Sequence, residues 1–298
     1  MSESTVEITA VSGMRWSRRP FADFVYRMRR NRLGMVGLVL VVFVGLVAIF
    51  ASLIEPYPPN DTLVRRLSPP SAQFLLGSDD FGRDVLSRLI YGARVSFYVG
   101  FVSVGIALTF GSVAGLVAGY FGKQVDNLIM RIADVMFSIP PIVLAIAITA
   151  ILGPSLTNAM VAIGIVYTPA FARIVRGPVL VVKETQYIEA ARTVGAGSLR
   201  IVFRHILPNV TAPLIVQTTF NLSTAILTES TLSFLGLGIQ PPDPSWGTML
   251  SGGRLYMELA WWLAVFPGLA IMIAVVGFNL LGDGLRDVLD PKLRTINL

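Results

Sequence analysis

A chain of 298 residues with 54% hydrophobic and 14% charged residues is more apolar than soluble domains, which run at about 45–50% apolar and 25% charged, and reads as an integral membrane protein. With no cysteine and a single histidine, disulfides and thiol chemistry are excluded and a transition-metal centre has a poor basis. The net charge of +6 fits basic loops that orient membrane helices; nucleic acid is set aside because no folded aqueous surface large enough for such a site is visible.

Six spans are predicted, since a bilayer core of about 30 Å takes roughly 20 apolar residues per helix. Residues 1–32 form a basic arm carrying Arg15, Arg18, Arg19, Arg27, Arg29, Arg30 and Arg32, which favours a cytoplasmic N-terminus. The first span covers 33–54, too late and too long for the core of a cleavable signal peptide. An outer segment follows over 55–96. Its prolines at 56, 58, 59, 69 and 70 favour a stiff, extended chain. Within it, Leu86, Leu89 and Ile90 share one face of a predicted amphipathic helix lying along the outer interface.

Residues 97–282 hold the other five spans, at 97–120, 135–152, 155–172, 208–228 and 259–281, and 283–298 form a cytosolic tail. In the second span Ser103, Ala107, Gly111, Gly115 and Gly119 recur every fourth residue, a face that lets helices approach closely. Packing within the chain is the favoured role for that face, a subunit interface the alternative. Pro140-Pro141 breaks the third span, with a short separate helix over 126–137 near the cytosolic surface. Pro169 and Pro267 are expected to bend the fourth and sixth. The stretch 234–247 is too rich in Gly and Pro for a span and is read as re-entrant or as a cap over a pathway. Trp246, Trp261 and Trp262 suit the headgroup level. Eighteen of the 24 lysines and arginines fall on the side this topology puts inside, with both termini there.

Between the fourth and fifth spans lies a basic segment, 183–208. A helix, glycine, helix excursion gains nothing in the bilayer, so it reads as a docking surface for a soluble partner on the side where Lys and Arg accumulate. Its residues Glu189-Ala190-Ala191, Gly195 and Leu207-Pro208 closely resemble the cytoplasmic EAA loop of bacterial ABC-importer permeases, with His205 where that pattern carries Ile. The resemblance extends to Leu76–Arg94, with Ser78 replacing Thr, to Glu229–Gly238, Pro241-Pro242 and Ser245-Trp246-Gly247, and to Gly282–Asp287 with Asp290-Pro291 and Leu293-Arg294. These stretches are similar to the C-type permease subunit of dipeptide, oligopeptide and nickel importers.

That resemblance implies an all-α membrane protein with six transmembrane helices in the type I ABC importer permease fold, with the outer amphipathic helix and a cytosolic coupling helix. It implies a bacterial cytoplasmic (inner) membrane location, a heterodimer with a second permease, two ATPase subunits or domains, and an external solute-binding protein. ATP and Mg belong to the ATPases, and no cofactor is expected on this chain. Glu189, Ala190, Ala191, Arg192, Gly195, Leu207 and Pro208, within the coupling loop 184–208, take the ATPase-coupling role. Glu229 is placed near the outer surface and is expected mainly to hydrogen-bond the outer loop, with the pathway or outer gate as its second role; Trp246 shares the gate assignment. No catalytic residues are expected: the chain has no G-x-x-x-x-G-K-[ST], no H-E-x-x-H and no G-x-S-x-G. An ion-coupled secondary transporter is the alternative, opposed by the near absence of charge within the spans.

Overall fold

A computed structural model describes residues 20–289; Arg15, Arg18, Arg19 and the tail from Asp290 lie outside the described residues. In hydrocarbon every backbone polar group must be satisfied within the protein, which helices do segment by segment. The chain accordingly folds as helices α1 (Pro20–Arg30), α2 (Arg32–Ile49), α3 (Ala51–Ile54), α4 (Val85–Phe121), α5 (Lys123–Phe137), α6 (Pro141–Leu152) and α7 (Leu156–Val182). After these come α8 (Gln186–Thr193), α9 (Ser198–Ile201), a π-helical turn (Val202–Ile206), α10 (Leu207–Phe234), α11 (Trp246–Arg254) and α12 (Trp262–Leu289). Five of them, α2, α4, α7, α10 and α12, are long and apolar enough to cross a membrane. The pair α5 and α6, bent by 92° at the Pro140-Pro141 break where Pro141 opens α6, makes a sixth candidate when counted as one broken span.

Two expectations change. Residues 86–94 are not a separate interfacial helix but the first turns of α4, which runs unbroken for 37 residues, about 55 Å at 1.5 Å per residue. Nothing between Arg94 and Phe97 stops a helix. Asp84 caps the N-terminus by accepting from Ser87 N at 2.8 Å, and the inner face (Val85, Ser87, Arg88, Gly92, Ala93) is buried in protein. The tryptophans differ too. Trp261 is half exposed, whereas Trp246 and Trp262 are buried, because each indole N–H finds a carbonyl inside: Leu89 O at 3.0 Å and Ser78 O at 3.2 Å.

α4 and α7 form the most extensive helix pair. Its contact is the small-residue face of α4. A Cβ on Gly115 would lie 2.4 Å from Ala172 O, and one on Gly111 2.5 Å from Thr168 O, so only glycine admits the neighbouring backbone. The stripe therefore packs within the chain. Across the bundle α2 meets α12 in the same way at Gly34 and Gly284, and Asn31 Nδ2 donates to Asp287 at 3.0 Å. The start of α2 and the end of α12 thus share one end of the bundle. At the opposite end, residues 55–84 and 235–261 fold into a cap over α4, α10 and α12.

Replacing Gly115 by Leu is expected to force α4 from α7 and destabilise the protein by roughly 1–3 kcal/mol or more. Gly105→Leu, where an added Cβ meets nothing within 4 Å, is expected to leave stability unchanged. Thermal melts of the detergent-purified variants read the difference.

Candidate functional site

The segment joining α7 to α10 is a compact knob with a buried underside and an exposed top. Ile188, Ile201 and Ile206 are fully buried and seat it on the helix ends. Polar ties complete the seat: Thr185 Oγ1 donates to Val182 O at 2.6 Å, and Asn209 Nδ2 donates to His205 O at 2.6 Å and to Tyr187 OH at 3.4 Å. The guanidinium of Arg192 lies 6.0 Å from the Tyr120 ring at the end of α4. Beside the knob, Arg176 pairs with Asp126 at 2.6 Å and Arg173 pairs with Asp134, clamping α5 to α7.

Gly195 shapes the top. α8 stops in a Schellman motif: Ala196 N donates to Ala191 O and Gly195 N to Arg192 O, both at 2.9 Å, satisfying carbonyls the helix end would leave open. This requires Gly195 at φ +85°, a conformation in which a Cβ crowds the carbonyl. Glu189, Ala190, Arg192, Gly195 and Pro208 are exposed, and Ala191 and Leu207 half-buried. Among them rise three apolar side chains that sequence reasoning did not single out: Val194 at 84%, Leu199 at 75% and Phe203 at 61% exposure. They share the exposed side of the segment with the charged Glu189, Arg192, Arg200 and Arg204. It holds no nucleophile and base pair for catalysis. The signal was available, since the three fall where hydrophobic residues interrupt a charged loop.

At the far end of α10, Glu229 is fully buried. Its carboxylate accepts from Ser233 Oγ at 2.7 Å, Ser96 Oγ at 3.3 Å and Ser230 Oγ at 3.5 Å, which ties α10 to α4. The Ser245 hydroxyl, at the start of α11 in the outer segment, is a further partner, so Glu229 also meets the outer loop that the sequence reading named. Trp246 sits near by as a wedge: a Cβ on Gly92 would lie 2.8 Å from its ring, so α11 locks onto the outer turns of α4. Neither residue is open to solvent.

The cap around them explains the Gly77–Asp84 motif residue by residue. Asp79 accepts from Phe81 N at 2.8 Å, Arg83 N at 2.9 Å and Arg83 Nε at 2.7 Å. Arg88 donates to Pro59 O at 2.8 Å, Asn60 Oδ1 at 3.1 Å and Pro242 O at 3.4 Å and reaches Asp79 at 3.4 Å, joining both outer segments to α4. The motif borders a cavity of about 510 Å³ floored by Val85, Met249 and Leu263. At its rim the Asp80 carboxyl is held above the ordinary carboxylate range by burial and then by the charge of Asp79.

Residues 111–295 match the family described as the binding-protein-dependent transport system inner membrane component, and residues 19–70 match the N-terminal TM domain of oligopeptide transport permease C. The chain is 49% identical over 282 residues to the dipeptide transport system permease protein of Alkalihalophilus pseudofirmus, covering 93% of this chain and 91% of that protein. It is 47% identical over 282 residues to the di/tripeptide transport system permease protein of Pseudomonas aeruginosa (92% and 93% covered). With the probable D,D-dipeptide transport system permease protein of Escherichia coli it shares 44% over 287 residues, 96% of each chain. Among solved structures, a chain of the MetNI methionine ABC transporter in an inward facing conformation matches with a TM-score of 0.55 at 24% identity, covering 68% of this chain and 97% of that one.

Glu229→Ala strands the serine hydroxyls around an empty volume and is expected to destabilise the protein by roughly 2–4 kcal/mol. Glu229→Gln, which keeps the shape and an acceptor, should lose less than half of that. Melting curves of the purified variants compare the two.

Proposed function

Because the chain belongs to the family of binding-protein-dependent transport system inner membrane components, we propose that it forms one wall of an ATP-driven importer for dipeptides or short peptides. The peptide cargo rests on the 44–49% identity to permeases named for peptide transport. A second permease of similar fold completes the pathway, two ATPase subunits or domains supply energy with their own ATP and Mg, and an external solute-binding protein delivers cargo at the outer cap. The knob end and both termini face the cytoplasm, as the concentration of Lys and Arg at that end favours.

One observation carries the coupling role: a knob rigidly seated by Ile188, Ile201 and Ile206, with Val194, Leu199 and Phe203 left uncovered. In this reading Glu189, Ala190, Ala191 and Arg192 sit in a socket of the ATPase. The small alanines allow close approach, Gly195 sets the turn, and Leu207-Pro208 pass the displacement into α10. Closure of the ATPase pair on ATP favours one tilt of the bundle and hydrolysis the other; the ligand state shifts the equilibrium only because the knob fits the two ATPase states unequally. Glu229 and Trp246 hold the outer gate as a stiff unit, so that tilting of α4 and α10 opens or closes it as one piece.

Glu189→Lys and Gly195→Val should each uncouple the assembly: ATP hydrolysis continues while receptor-dependent uptake in proteoliposomes falls about tenfold or more, a change of about 1.4 kcal/mol or more in coupling. Wild-type uptake by both variants would remove the knob from the mechanism. Orientation is read separately in the cysteine-free chain. Val194→Cys should react with a membrane-impermeant maleimide only after cells are permeabilised, and Leu255→Cys, 72% exposed on the cap, in intact cells; the reverse pattern would invert the topology.

A further inference from the structure

The middle of α10 carries a polar line of two amides and three threonines. Gln217, Asn221, Thr224, Thr228 and Thr231 are spaced four, three, four and three apart, so they fall on one side of the helix. On α4 the outward positions include the large apolar Phe101, Phe110 and Val113. On α10 Thr224 is exposed and Gln217 and Thr231 half-buried. From the neighbouring α7, Tyr167 OH reaches Thr228 Oγ1 at 2.8 Å. The hydroxyls of Thr224, Thr228 and Thr231 donate to carbonyls four residues back in α10, so it is the amide pair Gln217 and Asn221 that calls for water or protein within the span.

Asn221 stands at the middle of α10, about 20 Å from either end. It is 5% exposed, its Oδ1 accepts from Gln217 Nε2 at 3.0 Å, and its buried Nδ2 has no partner. Among the described residues no donor meets Gln217 Oε1. The pair therefore leaves both N–H groups of Asn221, the second N–H of Gln217 and the Gln217 acceptor unused. Buried polar groups are normally paired, so an orphan amide at mid-span points to a partner that comes and goes. In an extended peptide the N–H and C=O of one residue point to the same side, the arrangement through which a strand is read without regard to its side chains.

Building on the proposed importer function, we infer that Gln217 and Asn221 form a mid-membrane rest site for the main chain of a passing peptide, with the Thr224 to Thr231 face and Tyr167 as the wetted wall above it. The donor of Asn221 becomes reachable as α10 tilts in the proposed cycle. Recognition of main chain alone fits a path that must pass peptides of differing side chains and then let them go, since one pair of neutral hydrogen bonds is weak.

The test uses the complete transporter in proteoliposomes, with the cysteine-free wild-type chain as blank. Thr224→Cys is expected to react with a charged methanethiosulfonate reagent, and saturating dialanine or trialanine to slow that reaction about tenfold, as occupancy at roughly ten times Kd would. Adding Asn221→Leu should leave the cysteine reactive but weaken the protection roughly fivefold to tenfold, an effect a merely structural role would not produce. Phe110→Cys should resist the charged reagent throughout. The site is overturned if Thr224→Cys is as unreactive as Phe110→Cys, if neither peptide protects it, or if protection survives Asn221→Leu. Absence of ATP-driven uptake of both peptides by the wild-type assembly would instead overturn the importer reading beneath it.

Discussion

The contact on which this architecture depends is the near touching of α4 and α7 along Gly111, Gly115 and Gly119. In lipid there is no hydrophobic force between helices, so association rests on close packing. A glycine face lets two backbones approach until side chains of one meet main chain of the other, as Phe171, Ala172 and Val179 do here. That rigid pair joins the two functional ends. α7 leads directly into the knob, while the outer turns of α4 carry the cap through Asp84, Arg88 and the wedge of Trp246.

α10 is the complementary element. It begins in the knob and ends beside Glu229, its one carboxyl, enclosed by serine hydroxyls of α4, of α10 itself and, at Ser245, of the outer segment. A buried carboxylate without a cation is tolerable only when several donors meet it. Removing those donors would loosen α10 from α4 at the very end where the cap must seal. Stiff contacts at both ends and a softer polar line between them describe a helix suited to tilting as a body, the rigid-body class of switching motion.

Much of this was legible from residue order because the signals were local. Apolar run lengths, the Pro140-Pro141 break and the four-residue spacing of small residues each follow from bilayer thickness, ring sterics and helix periodicity. The knob's Glu189-Ala190-Ala191 and Gly195 were readable for the same reason: a Schellman stop is set by one glycine at one offset. By contrast the outer helix, expected to lie flat, is part of α4. Amphipathicity states that one side is covered without saying whether lipid or protein covers it. Trp246 misled for that reason too, since an indole N–H is satisfied equally by a headgroup or by the carbonyl of Leu89.

Sequence alone determined the membrane class, the order of the helices, the family resemblance and the position of the loop proposed to couple to the ATPase, because hydropathy, helix breakers and a spaced motif act over a few turns of chain. Only the tertiary structure decided which helices touch, that Ile188, Ile201 and Ile206 seat the knob, that Ser96 from α4 meets Glu229, and that Asn221 is buried with a donor unspent. Those facts join residues tens to hundreds of positions apart, and what fixes them is the mutual fit of whole helix faces, which no local pattern encodes.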